Sequence, residues 1–121
     1  MFDDRSPIYR QIAEHIKAEI LSGALAEDSQ VMSTNQYAAA YRINPATAAK
    51  GLRELLDDGV LYKRRGIGMF VSPNAREKLR SERREHFFGD VVDPMIDEAR
   101  TIGIGLDDVI EHIRKKDGES S

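Results

Sequence analysis

The sequence predicts a mainly α-helical protein with one small β-hairpin, and three observations carry that expectation. Isoleucines recur every fourth residue at Ile8, Ile12, Ile16 and Ile20, which lays one apolar stripe along an amphipathic helix. Two further helical segments meet at a short turn, Arg42-Ile43. Each opens on a strong start signal, Ser33 with Gln36 three positions on and then Asn44-Pro45. Directly after them, two short apolar runs flank a basic turn, Arg65-Gly66-Ile67-Gly68. Two helices joined so tightly and followed by a basic hairpin make a winged helix-turn-helix pattern. It occupies residues 1–72, and residues 73–121 form a short helical tail.

The first helix is expected over residues 7–22. Ser6 can cap it, Pro7 suits a first position where no N–H is needed, and Gly23 suits the C-cap. Residues 24–29 read as a loop and residues 30–32 as a very short strand. The second helix runs from Ser33 to near Arg42, with Tyr37, Ala38 and Tyr41 facing inward. The third runs from Asn44 to about Asp58, with Ala48, Leu52, Leu55 and Leu56 on the core side and Gly59 ending it. Strands over residues 60–64 and 69–72 complete the hairpin.

From Ala75 to about Ile102 the pattern turns helical again. Gly89 and Asp93-Pro94 interrupt it. Pro94 removes a backbone hydrogen bond, so a kink or a break is expected, with Asp93 capping a new segment. Gly103 and Gly105 make a turn. Leu106, Val109, Ile110 and Ile113 mark a last short helix, whose positive end is complemented by Asp107 and Asp108. Residues 115–121 are expected to fray.

Composition narrows the function. The chain has 121 residues, 40% of them hydrophobic and 32% charged, which suits a folded, helix-rich protein. It has no cysteine, which removes disulfides, thiolate metal sites and cysteine nucleophiles and fits a reducing, cytoplasmic location. No apolar run is long enough to span a bilayer and the N-terminus lacks an apolar signal core, so no membrane partner is expected. The net charge of −3 argues at first against nucleic acid. Its distribution reverses that. Residues 1–72 carry nine basic and nine acidic side chains, whereas residues 73–121 carry nine and twelve. Between positions 42 and 65 stand six cations, Arg42, Lys50, Arg53, Lys63, Arg64 and Arg65, against the three acids Glu54, Asp57 and Asp58. A basic surface can therefore sit on an acidic protein.

A helix lying in the major groove shows its N-terminal turns to base edges, while surrounding cations meet phosphates. On the third helix the candidates are Asn44, Ala46, Thr47, Lys50 and Arg53, and Gly51 also lies off the leucine face. On the hairpin they are Arg64, Arg65, Gly66 and Gly68. There the arginines follow phosphates or enter the minor groove, and the glycines allow close backbone approach. Ser33, Thr34 and Asn35 open the second helix, whose N–H groups can sit on a phosphate. The expected partner is double-stranded DNA.

The residues resemble the GntR family of bacterial repressors. The likeness starts at Pro7-Ile8-Tyr9-Arg10-Gln11-Ile12 and resumes at Asn44-Pro45-Ala46-Thr47. It continues through Leu52-Arg53-Glu54-Leu55 and Asp58-Gly59-Val60-Leu61 to Arg64-Arg65-Gly66-Ile67-Gly68-Met69-Phe70-Val71. The tail is similar to the two-helix tail of the YtrA-like subfamily, which implies a homodimer and a role often tied to membrane transporter operons. The family usually has Leu-Pro-Ser-x-Arg at the start of the second helix. Here Met32 replaces the proline and Asn35 the usual DNA-contacting arginine. The apolar stripe of the tail supports dimerisation independently, since a lone helical hairpin cannot hide it. Its first half is Phe88, Val92, Met95, Ile96, Ala99 and Ile102. Its second half is Leu106, Val109, Ile110 and Ile113.

An enzyme is not expected. His15, His86 and His112 fall on three different predicted helices, and no HExxH, Walker, GxSxG or dinucleotide motif is present. No cofactor and no metal ligand set is assigned. The alternatives are a winged-helix module for protein contacts and a metal-responsive regulator using His86 with His112 or nearby carboxylates. An unknown small-molecule effector could enter the tail or the cleft between domains, although no residue set marks such a pocket.

Overall fold

Ile12, Ile16 and Ile20 of the predicted stripe are buried, with Ala13 beside them, so one face of the first helix is core. The computed structural model describes residues 3–120. Its elements are α1 (Ile8–Ser22), α2 (Thr34–Tyr41), α3 (Pro45–Asp57), β1 (Leu61–Arg64), β2 (Gly68–Val71), α4 (Ala75–Phe87), α5 (Asp93–Thr101) and α6 (Leu106–Ser120). Mainly helical with one two-stranded antiparallel sheet, it has the architecture that the sequence predicts.

The local start signals work as written. Ser33 Oγ accepts the Gln36 N–H at 3.1 Å and Gln36 Oε1 accepts the Ser33 N–H at 2.8 Å, a complete capping box. Asn44 Oδ1 accepts the Ala46 N–H at 2.7 Å, and Pro45 takes the first helical position. The start of α1 differs from expectation. Pro7 is the cap, and no side chain bonds there. Ser6 instead offers its carbonyl to Gln11 Nε2 at 2.7 Å, because Gln11 reaches back and also holds Asp3 O at 2.8 Å. Ile8 is exposed, since the stripe meets the other helices only from Ile12 onward.

Leu52 and Leu55 of α3, Val31, Leu61 and Val71 join the buried face of α1 in one core. Tyr37 closes it from α2, and its phenol is pushed up to about 12 by burial, with Glu19 and Tyr41 adding to the effect. Gly51 corrects a sequence expectation. It is buried, not exposed, and a β-carbon there would stand 2.7 Å from Tyr9 O of α1. The hairpin pairs Leu61 with Val71 and Arg64 with Gly68, and the short strand expected around residue 30 is a bridge from Gln30 to Phe70.

The chain divides into two compact units, Met1–Ser81 and Glu82–Ser121. The sequence places the boundary after residue 72. The first turns of α4 belong instead to the N-terminal unit, because Ala75 and Leu79 are buried in its core and Arg76 Nε donates to Leu21 O at 3.0 Å.

In the C-terminal unit the irregularity expected at Asp93-Pro94, a kink or a break, is not a break, and Asp93 does not cap the start of α5, whose N-cap position is Val92. Phe88–Val92 forms a π turn, in which the Asp93 N–H donates to Phe88 O. That turn leads straight into α5, with Pro94 in its first turn, where a missing N–H costs nothing. The tail's end does not fray as expected, since α6 continues to Ser120; Ser121 lies outside the described residues. The predicted apolar stripe is split. Ala99 is buried and Val92, Ile96, Leu106 and Val109 are half-buried, whereas Phe88, Met95, Ile102, Ile110 and Ile113 are exposed. Phe87, Val91 and Ile104, which the stripe omitted, are exposed as well. No described helix is long and apolar enough to cross a membrane.

Candidate nucleic-acid interface

The third helix sets the geometry. Its core side is Ala48, Gly51, Leu52 and Leu55, so at 3.6 residues per turn the opposite ridge must be Ala46, Lys50, Arg53 and Asp57. All four are exposed. The ridge has two flanks. Toward α1, Lys50 Nζ lies 4.1 Å from the centre of the Tyr9 ring, a cation–π contact, and Glu54 Oε1 stands 3.9 Å from Arg10 Nε. Thr47 is half-buried. Toward α2, Ala49, Arg53 and Leu56 line a cleft of about 450 Å³.

That cleft brings together three elements far apart in sequence. The start of α2 contributes Ser33, Thr34, Asn35 and Gln36, α3 contributes Arg53, and the hairpin contributes Lys63, Ile67, Gly68 and Met69. Two cations line it and no carboxylate does. The capping box satisfies the Gln36 N–H, while the Thr34 and Asn35 N–H groups before it in the first turn have no intrahelical partner, and the positive end of the helix dipole lies at the cleft. The cleft therefore offers a lysine ammonium, an arginine fork, side-chain amides and the positive end of a helix dipole. Such a set suits an anionic backbone beside a polar edge.

Of the residues singled out from sequence, Ser33, Thr34, Asn35, Arg53 and Gly68 meet at this cleft. Ala46 and Lys50 lie on the adjoining ridge. Asn44 is exposed at its head, but its oxygen is committed to the cap. Arg65 and Gly66 are exposed in the turn of the hairpin. Arg64 is drawn back, its guanidinium 5.4 Å from the centre of the Phe70 ring on the other face of the sheet. Gln30, Ala49, Lys63 and Ile67 were missed as cleft residues. Lys63 was legible, because strand side chains alternate and Leu61, two positions before it, points into the core. Gln30 had no local signal.

A helix-turn-helix whose second helix and basic hairpin share one acid-free cleft defines a winged-helix DNA-binding domain. The chain belongs to the gntR family of bacterial regulatory proteins, whose pattern it matches over residues 8–71. It is 30% identical over 115 residues to the HTH-type transcriptional repressor YtrA of Bacillus subtilis (strain 168), covering 93% of this chain and 88% of YtrA. It is 38% identical over 72 residues to the transcriptional repressor NagR of the same organism, covering 60% of this chain but only 30% of NagR. Among solved structures, a GntR family transcriptional regulator from Listeria monocytogenes superposes with a TM-score of 0.75 at 27% identity, covering 94% of this chain and 98% of that one. The DNA-binding domain of AraR, solved in complex with operator ORX1, superposes with a TM-score of 0.56 at 26% identity, covering 60% of this chain and 93% of that one.

Proposed function

We propose that the chain is a transcriptional repressor that binds an inverted-repeat operator as a homodimer and acts in the cytoplasm. The ridge of α3 enters the major groove. Ala46, Thr47, Lys50 and Arg53 face base edges and flanking phosphates, with Asn44 at the helix start. The start of α2, at Ser33, Thr34 and Asn35, approaches a phosphate, and Arg64, Arg65, Gly66 and Gly68 of the wing flank the helix along the backbone or in the minor groove. The observation that carries this reading is the cleft shared by α2, α3 and the wing, lined by Arg53 and Lys63 and by no acid. The operator complex of AraR's DNA-binding domain and the repressor role of YtrA support it.

A second copy of the chain is the expected cover for Phe88, Met95, Ile102, Ile110 and Ile113, which are exposed in the C-terminal unit. Their half-buried neighbours Val92, Ile96, Leu106 and Val109, together with the buried Ala99, form the body on which that surface rests.

Footprinting on the chain's own upstream region, with sedimentation of the complex, tests both halves. Two protected half-sites, spaced by about one helical turn or a multiple of it, and a mass of two chains are expected. A lone half-site bound by one chain would exclude the dimer. Binding to duplex should weaken steeply as salt rises, and a flat response would exclude phosphate contacts as the main source of affinity. Phe88→Asp with Ile113→Asp should leave the winged unit folded and yield single chains. A persisting dimer would place the interface elsewhere.

A further inference from the structure

Gln30 precedes α2 and is bound to the wing by both its backbone and its side chain. Its backbone bridges to Phe70 of β2, and the next residue, Val31, donates its N–H to Met69 O at 2.9 Å. Its side chain then runs along the hairpin until Nε2 donates to the carbonyl of Ile67 at 3.1 Å, a residue 37 positions away in the turn. The path is open only because residue 68 has no side chain. A β-carbon on Gly68 would stand 2.6 Å from Gln30 Nε2. Gly68 also holds φ at +147°, which other residues rarely adopt, so glycine meets two separate demands there.

We propose that Gln30 is a positioning residue for the wing, a strut that sets the turn Arg65-Gly66-Ile67 in one pose beside the cleft before DNA arrives. The inference rests on the DNA-binding reading above. Four-residue strands in a two-stranded sheet are marginal alone, and the turn between them is closed by Ile67 N–H donating to Arg64 O at 2.9 Å. The Gln30 amide adds a second tie from outside the hairpin. It grips the peptide beside the exposed Ile67 side chain, which stands at the wing's tip next to Arg65. A turn ordered in advance loses less freedom on binding, so the strut should raise affinity without touching the duplex. It also ties the wing to the start of α2, since Gln30 is three residues before Ser33 and both line the cleft.

Gln30→Met tests the idea in the full chain, because it keeps the length and bulk of the side chain and removes the donor. Four quantities are read: the thermal midpoint, amide exchange and ¹⁵N relaxation of residues 65–67 in the free protein, and affinity for a duplex carrying the chain's own upstream region. The midpoint should stay within about 2 °C, since an exposed bond is lost. Wing amides should exchange several-fold faster, and affinity should fall about five- to tenfold. Gln30→Lys returns a donor and should restore wing protection. That rescue is judged on the free protein alone, because the added charge changes affinity. Unchanged wing order in Gln30→Met overturns the proposal. So does weaker binding with unchanged wing order, which would make Gln30 a direct contact, and so does a Gln30→Lys wing as mobile as that of Gln30→Met. Failure of the unmodified protein to bind any duplex would refute the DNA reading and is distinguishable, because wing order is measured without DNA.

Discussion

Replacing Gly51 by alanine should destabilise the winged unit, against the rule for helix interiors. In an open helix that change gains about 1 kcal/mol, because glycine loses more backbone freedom on folding. Here the new β-carbon would stand 2.7 Å from Tyr9 O and 3.5 Å from Ile12 Cβ. A carbon and a carbonyl oxygen rest comfortably at about 3.3 Å or more, so α1 and α3 must part by roughly half an ångström. The obstructing oxygen belongs to the backbone of α1 and cannot rotate away. Overpacking of this kind costs about 1–3 kcal/mol. Set against the helix gain, the net loss is centred on about 1 kcal/mol and reaches about 2 kcal/mol at most; the central figure lowers the midpoint of a unit of this size by about 4–8 °C. Thermal and urea unfolding followed by circular dichroism read it directly. Gly118→Ala in α6 is the control, because a β-carbon there meets nothing within 4 Å and should be neutral or stabilising. A midpoint for Gly51→Ala equal to or above that of the unmodified chain would refute the packing argument.

Arg53→Ala and Lys63→Ala should each weaken duplex binding and each lower the slope of log affinity against log salt by about one, as expected for single phosphate contacts; unchanged slopes in gel-shift titrations would move the anion site away from the cleft. Ser33→Ala should cost about 1 kcal/mol by urea denaturation, because it opens the capping box of α2. Stability should also fall as pH rises from about 10 to about 12. The Tyr37 phenol ionises near its ordinary value of 10.0 when unfolded but is held to about 12 when folded, so its contribution is whole below the first value and is lost toward the second. Tyr37→Phe should flatten that part of the pH profile, and an equally steep fall in the variant would exclude Tyr37 as its source.

What sequence alone determined about this protein is whatever arises between residues a few positions apart. The Ser33 and Gln36 box, the Asn44-Pro45 start and the period-four stripe from Ile12 to Ile20 are written in local spacing, and local hydrogen bonds and one buried face enforce them. The basic hairpin was legible for the same reason, as was the place of Lys63 once its strand alternation is followed. Pro94 shows the limit of local rules: the proline requires an unbonded N–H position, but a π turn supplies one without breaking the helix. Only the tertiary structure decided that Gly51 is a packing glycine, that Lys50 lies over Tyr9 and that Gln30 reaches Ile67. It also decided that the winged unit extends through the first turns of α4. Those features depend on the distance between surfaces brought together across the chain, and a one-dimensional pattern sets which faces are buried without setting how closely they approach.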